Sequence, residues 1–489
     1  MGEQEIISLR IAKLERLRAR GLDPYPARFH PSHTARQAID LLDGRDESAD
    51  PVTVAGRITA MRGMGKATFI DLLDGSGRIQ TYLKEDVLGT ETYETLRDLD
   101  LGDFLGVQGP LFRTKTGEPT LQVEQFTVLA KALRAPPEKW HGLQDVELRY
   151  RQRYLDLIAN PQVRDTVLTR SHIITALRRF LDDRGFLEVE TPVLQPAAGG
   201  AAARPFVTYH NALDRQLYLR IALELYLKRL VIGGYDRVYE IGRIFRNEGV
   251  SAKYNPEFTM LESYQAYADY TDVMDMVEEM ISTVAREALD GNTVTHDDTK
   301  IDFAPPWPRI TLRDAIKQHS GVDFEQHPEV ESMREAVASC GVAVDEKWGR
   351  GKLIDELLSD KVEPNLIQPT FLLDYPVELS PLAKRKPDNP RLVERFELFI
   401  AGREVGNAYS ELNDPQEQRE RMLQQARLLD AGDEEVELAD EEFLTALEYG
   451  MPPCGGLGIG IDRLVMALTG QPSIREVILF PHLREREQP

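Results

Sequence analysis

Gly456-Leu457-Gly458-Ile459-Gly460-Ile461-Asp462-Arg463, close to the end of a 489-residue chain, is the stretch from which the rest can be read. Glycines alternating with aliphatic residues suit a strand whose bare face lets another group come very close. Residues 462–468 then read as a helix, with Arg463 in its first turn. An arginine there can meet an anion together with the helix N-terminus. A tight strand-to-helix packing turn would use the same glycines. A second arginine segment upstream favours the anion: Phe245-Arg246-Asn247-Glu248, a loop, then Asn255-Pro256-Glu257-Phe258.

Residues 239–248 and 258–267 read as two strands joined by that loop. Strand side chains alternate faces, so Arg246 and Glu248 share one side, and Phe258, Glu262 and Tyr264 share one side of the return strand. Further on, Glu397 and Glu404 flank the turn Ala401-Gly402. In a two-residue hairpin, 399 pairs with 404 and 397 with 406, leaving both carboxylates on one face, close enough to share a metal ion. Asn407, Tyr409 and Glu411 have the opposite parity to Glu404, so sharing its face requires a bulge or bend at Gly406.

Between residues 52 and 129 five strand-like runs are expected, at 52–61, 67–73, 78–83, 104–112 and 120–129, with a helical stretch at about 90–99. That order matches an OB-fold, a small barrel that binds oligonucleotides. Residues 3–20 read as a charged amphipathic helix with Ile6, Ile7, Leu9, Leu14 and Leu17 on one stripe. After a hinge at Pro136-Pro137, a long helix over about 162–184 carries Val167, Leu168, Ile173, Ile174, Leu177, Phe180 and Leu181, and Gly185 caps it. The remainder of the chain has no alternation of strand and crossover helix, which argues against a doubly wound parallel sheet. Residues 310–365 read as helical.

The net charge of −22 argues against non-specific nucleic-acid binding, but residues 51–135 are nearly neutral, with ten basic and eleven acidic side chains. Residues 430–442 hold eight acids and no base, and read as a solvated or mobile face. The two cysteines, Cys340 and Cys454, exclude a disulfide framework and a cysteine zinc site, and fit a reducing cytoplasm. No apolar run is long enough to span a membrane, and no basic-then-apolar leader opens the chain.

Taken together, these segments resemble the class II aminoacyl-tRNA synthetases. Arg246 to Phe258 resembles motif 2 (about 239–267), Gly458 to Arg463 motif 3 (about 455–469), and Gly185-Phe186-Leu187-Glu188-Val189-Glu190-Thr191-Pro192 closes motif 1 (about 163–192). Residues 224–230 and 406–414 resemble the bacterial-type lysyl branch. The resemblance implies an α+β chain: an N-terminal OB-fold β-barrel plus a catalytic domain with an antiparallel sheet flanked by helices. The expected division is a helical extension (1–50), an anticodon-binding barrel (51–135), a hinge (136–150) and the catalytic domain (151–489).

The resemblance also implies roles. Arg246 and Arg463 are the catalytic arginines. ATP meets both of them, with Glu248, Tyr254, Phe258, Glu397 and Glu404, and the last two hold its Mg2+. Lysine meets Glu224, Glu262, Tyr264, Asn407, Tyr409 and Glu411, with Glu411 and Tyr264 on the side-chain ammonium. Arg62, Phe69, Gln80 and Glu118 contact the anticodon of tRNA(Lys), and motif 1 forms a homodimer. Many relatives have histidine where this chain has Tyr254, and tyrosine cannot carry the same charge.

Plainer roles exist for single residues. Glu224 can pair with Lys228 four residues on, and Phe69 can belong to the barrel core. The implied activity is cytoplasmic activation of lysine with ATP and its transfer to tRNA. The alternatives are an asparagine- or aspartate-specific relative, the aspartate one needing a basic residue for its substrate's side chain, and a non-catalytic RNA-binding relative, which would have no need of an intact ATP site.

Overall fold

The computed structural model describes residues 2–137, 143–197, 199–201, 203–289, 291–296, 298–430 and 440–485. Residues 138–142 of the expected hinge and 431–439 of the acidic run lie outside these. The chain forms two compact units, 1–144 and 145–489.

In the first unit, strands β1 (Glu47–Met64), β2 (Ala67–Leu73), β3 (Arg78–Lys84), β4 (Phe104–Arg113) and β5 (Pro119–Val123) close into a barrel, because β1 pairs with both β2 and β4. The last expected run divides into β5 and β6 (Gln125–Ala130). β5 lies between β3 and the end of β4, whereas β6 pairs with the start of β4. The chain bends at Glu124, whose N–H donates to Gln108 O at 2.8 Å. Gly109 permits the close crossing, since a Cβ there would lie 1.8 Å from the Gln122 carbonyl oxygen. The expected helix at 90–99 is a short α-helix, Thr90–Glu94, continued by a 3-10 turn, Thr95–Asp98.

Helix α1 (Glu3–Ala19) shares the barrel's core rather than standing as a separate extension. Leu14 and Leu17 are buried, but Leu9 of the expected stripe is exposed and Arg10 is buried in its place. Arg10 reaches the core because its guanidinium is satisfied by three carbonyls, those of Leu101, Ala132 and Arg134, at 2.9–3.1 Å.

The second unit is built on one eight-stranded sheet. Its strands are β7 (Leu187–Glu188), β8 (Arg237–Phe245), β9 (Glu257–Ala266), β10 (Arg309–Thr311), β11 (Thr370–Leu373), β12 (Arg395–Ile400), β13 (Arg403–Ser410) and β14 (Cys454–Gly460). The spatial order is β10-β11-β12-β13-β14-β9-β8-β7, antiparallel except for one parallel pair at each edge. Helices α2 (Pro161–Asp182), α4 (Tyr270–Leu289) and α5 (Ile461–Thr469) pack on one face, burying Phe396, Leu398, Val405, Ala408, Leu457 and Ile459. Between α2 and α4 in the chain, α3 (Glu224–Ile232) packs with a separate cluster that includes Tyr264 and Phe443. Gly185 follows α2 at φ +74°, as a helix-terminating glycine should. Leu168 of the expected buried face is exposed, and Val163, Thr166 and Ala176 are buried instead.

The barrel's most demanding polar group is Lys131, whose side chain is 0% exposed and pairs with Asp100 at 2.6 Å and Asp103 at 2.9 Å. Removing one partner of a buried pair leaves an uncompensated charge. Lys131→Met is therefore expected to cost the barrel about 3–5 kcal/mol, read as faster hydrogen exchange of the β1–β5 amides. Unchanged protection would show that the buried Asp103 needs no counter-ion, since Asp100 keeps Lys13 at 2.6 Å.

Candidate active site

The sheet face turned away from α2, α4 and α5 borders a cleft of about 990 Å³. Every residue expected at the ATP and lysine sites lines it: Glu224, Arg246, Glu248, Tyr254, Phe258, Glu262, Tyr264, Glu397, Glu404, Asn407, Tyr409, Glu411 and Arg463. Register explains the convergence. Glu262 and Asn407 both pair with Gly458, from β9 and β13 respectively, and Tyr264 and Tyr409 both pair with Gly456. The two glycines thus sit between pairs of polar side chains. A Cβ on Gly456 would lie 1.9 Å from Glu411 Oε1 and 2.7 Å from the Tyr264 ring, so only glycine fits. Leu457, Ile459 and Ile461 point the other way, into the core.

The break in alternation that the sequence demands exists, one residue before Gly406. Ala401 and Gly402 both have positive φ, +54° and +68°, which closes a two-residue turn of the hairpin type. Phe399 pairs with Glu404 as expected, but Leu398 pairs with Gly406 and Glu397 with Asn407, not 406. Val405 is the extra residue. The bulge lets Glu404 share the cleft face with Asn407 and Tyr409 while Val405 and Ala408 both enter the core.

Each of the two arginines is placed by its neighbours. Arg246 lies just past the end of β8, which stops at Phe245 instead of running to 248, and its guanidinium is 5.3 Å from the Phe258 ring centroid. Arg463, in the first turn of α5, donates to the Glu404 carbonyl at 2.9 Å and to its carboxylate at 3.1 Å. Arg463 also lies 5.7 Å from the ring of Tyr254, the residue that departs from the family pattern. Asp462 anchors the start of this helix by accepting from Thr259 N at 2.7 Å and pairing with Arg170.

Carboxylates crowd the amino-acid end. Glu262 accepts from Leu223 N at 2.9 Å and Tyr264 Oη at 3.0 Å; burial, aided by the Glu224 charge, still pushes its pKa up to about 7. Burial lifts Glu411 well above the usual carboxyl range, against the pull of Lys228. Both of its oxygens are buried and accept no well-formed hydrogen bond; its charged neighbour is Lys228. Tyr409 Oη donates to Glu224 at 2.8 Å. The helix pair Glu224–Lys228 does form, but Lys228 also reaches Glu411, so the pair belongs to the pocket as well as to α3.

At the other end, Tyr375 Oη donates to Glu397 at 2.7 Å, and Arg395 pairs with Glu397 and donates to Asn407 at 2.9 Å. Burial brings Glu397 to about 7; Arg395 opposes the shift and Glu404 adds to it. Two carboxylates that share the cleft face and feel each other's charge suit a shared cation, and Mg2+ needs only one or two carboxylates when phosphates complete its shell. Among the described residues no group of three or more ligating side chains could hold a metal alone. Tyr375 and Arg395 were not singled out from sequence. Arg395, two residues before Glu397 and therefore on its face, could have been.

In the barrel, Phe69 is half-buried and outside the core, with its ring stacked on Tyr82 at 4.6 Å. Arg62 pairs across the strand with Phe69 and donates to Gln80 Oε1 at 3.1 Å and to the buried Asp71. Glu118 joins through Arg78, which bridges it to Asp71 at 2.7 and 2.9 Å. The four expected residues thus lie on one connected surface, together with Asp71, Arg78 and Tyr82, which sequence reading missed.

Two family descriptions match the chain: "tRNA synthetases class II (D, K and N)" over residues 145–484 and "OB-fold nucleic acid binding domain" over 52–129. Among curated relatives, the lysine--tRNA ligase of Dehalococcoides mccartyi is 58% identical, covering 100% of this chain and 99% of its own length. The lysine--tRNA ligase of Moorella thermoacetica is 57% identical with the same coverage, and that of Roseiflexus castenholzii 56% identical over all of both chains. The chain belongs to the class II tRNA synthetases of the aspartate, lysine and asparagine group, and within it to the family of the lysine--tRNA ligases.

Proposed function

We propose that this protein activates L-lysine with ATP and transfers the lysyl group to tRNA(Lys). The observation that carries this reading is the set of three buried carboxylates, Glu224, Glu262 and Glu411, gathered on the cleft side of a glycine strand. A substrate with two ammonium groups satisfies such a pocket. An aspartate or asparagine side chain would meet acids where it needs a donor, so the acidic pocket favours lysine over those relatives.

The lysine carboxylate attacks the α-phosphorus of ATP, and pyrophosphate leaves. A ribose hydroxyl at the tRNA 3′ end then attacks the acyl carbon, and AMP leaves. The protein supplies no covalent nucleophile. Arg246 and Arg463 offset charge building on the α-phosphate oxygens. Phe258 offers a stacking face for adenine, and Glu248 an acceptor for its amino group. Glu397 and Glu404 hold Mg2+, which neutralises phosphate charge when bound with ATP. Glu411 and Tyr264 receive the side-chain ammonium, while Glu224 and Glu262, with Asn407 and Tyr409, complete the lysine site. Arg62, Phe69, Gln80 and Glu118 read the anticodon.

A homodimer formed through motif 1 is supported by Leu168, Leu187 and Leu194, all exposed in the single chain in or beside that segment. No described helix is long and apolar enough to cross a membrane. The two free cysteines fit a cytoplasmic enzyme.

ATP–pyrophosphate exchange across the amino acids tests the function. Exchange is expected with lysine and Mg2+ and is expected to vanish in excess chelator; equal exchange with aspartate would refute the assignment. Arg463→Ala should lower exchange by on the order of 10²–10³ with the circular dichroism spectrum retained, and an unfolded variant would make Arg463 structural.

Gly456→Ala should raise the Michaelis constant for lysine far more than that for ATP, because its Cβ would displace Glu411. Gly458→Ala should be milder, since the nearest atom to its Cβ is the end of Met260, 3.4 Å away. Equal effects of the two glycine variants would remove the argument from close approach.

Phe69→Ala should preserve exchange and weaken tRNA binding by roughly 1–3 kcal/mol through loss of a stacking face. A large fall in melting temperature with unchanged tRNA affinity would return Phe69 to a packing role.

A further inference from the structure

Lys228 is fully buried behind the lysine pocket, and the helix pair alone does not account for its position. It stands at the fifth position of α3, four residues after Glu224, and its side chain is 0% exposed. Its ammonium is ion-paired with Glu224 on its own helix and with Glu411, which follows β13. It also lies 5.6 Å from the Tyr409 ring and 5.7 Å from the Phe443 ring. The other titratable groups around this point are Glu262 and Tyr264 on β9 and Cys454 on β14. Glu262 has two hydrogen-bond donors of its own, Leu223 N and Tyr264. Among the described residues Glu411 has no donor but the Lys228 ammonium, and its carboxylate is pressed against the bare backbone of Gly456.

Resting on the lysine-activating reading above, we propose that Lys228 is the fixed counter-ion of the amino-acid pocket, a positioning residue that sets its charge and aims Glu411 at the substrate. With substrate bound and all three carboxylates ionised, they and the one buried ammonium leave a deficit of two positive charges, the number that the two ammonium groups of lysine supply. Without Lys228 the deficit would be three, and the buried cluster would take up a proton in place of a well-held substrate ammonium. Lys228 does not line the cleft, so the substrate has no need to displace it.

The test uses the full chain carrying Lys228→Met or Lys228→Arg in lysine-dependent exchange. The methionine variant should raise the lysine Michaelis constant by on the order of 10–100-fold and leave that for ATP within about threefold. The rise of kcat/KM for lysine with pH should move upward by about one pH unit or more, because the unpaired carboxyl now ionises later. Arginine keeps the cation and should hold the lysine constant within about fivefold of the parent. Lysine and ATP constants that rise together, an unmoved pH profile, or a folded arginine variant as impaired as the methionine one would overturn the proposal. If the methionine variant does not fold, the arginine variant decides by the same criterion. Failure of the parent protein itself to exchange with lysine would strike the proposed function instead, and is seen separately.

Discussion

Glu411 is a carboxylate removed from water, seated on a glycine with no side chain and held by one buried ammonium. The cleft is organised around that costly placement. An isolated buried charge is strongly disfavoured, so the fold must bring compensating groups from several elements to one point. Helix α3 brings Lys228 and Glu224, β9 brings Glu262 and Tyr264, and β13 brings Tyr409. The glycine run of β14 makes the meeting possible, because any side chain at 456 would occupy the space that Glu411 needs.

The same strand governs the ATP end by register. β14 lies between β9 and β13, so a residue of each faces the same glycine. The bulge at Val405 then reverses parity within β13, and one short strand can present Glu404, Asn407 and Tyr409 to the cleft while burying Val405 and Ala408. A regular hairpin would have sent either the metal-site carboxylate or the amino-acid contacts into the core.

Much of this was legible in the chain itself, and the failures share a cause. The glycine alternation, the paired arginine segments and the two-residue turn at Ala401-Gly402 are local signals, and local chemistry fixes them. The parity conflict around Gly406 could be stated from sequence, but the position of the bulge depends on packing of Val405 against helices elsewhere in the chain. Periodicity marked Leu9 and Leu168 as buried; it reports an apolar stripe, not what the stripe meets, and both are exposed. Nothing local marks Arg10 as buried, because its three carbonyl partners come from residues 101–134. Lys228 was legible only as a helix pair, since its second partner lies 183 positions away in sequence. The barrel surface was legible only through the family resemblance, which marks Arg62, Phe69, Gln80 and Glu118; Asp71 and Arg78 matter through the network that joins them.

The central claim is that buried carboxylates in this cleft are held ready for cations. Calorimetry of lysine binding at about pH 6.5, repeated in buffers of different ionisation enthalpy, tests it most directly. In the empty site Glu262, with its pKa near 7, is largely protonated at that pH, and the ionised form is the one that holds an ammonium group. Binding should therefore release protons, with the release fading above about pH 8. Lysine binding with no proton release at pH 6.5, or with net uptake, would contradict the account.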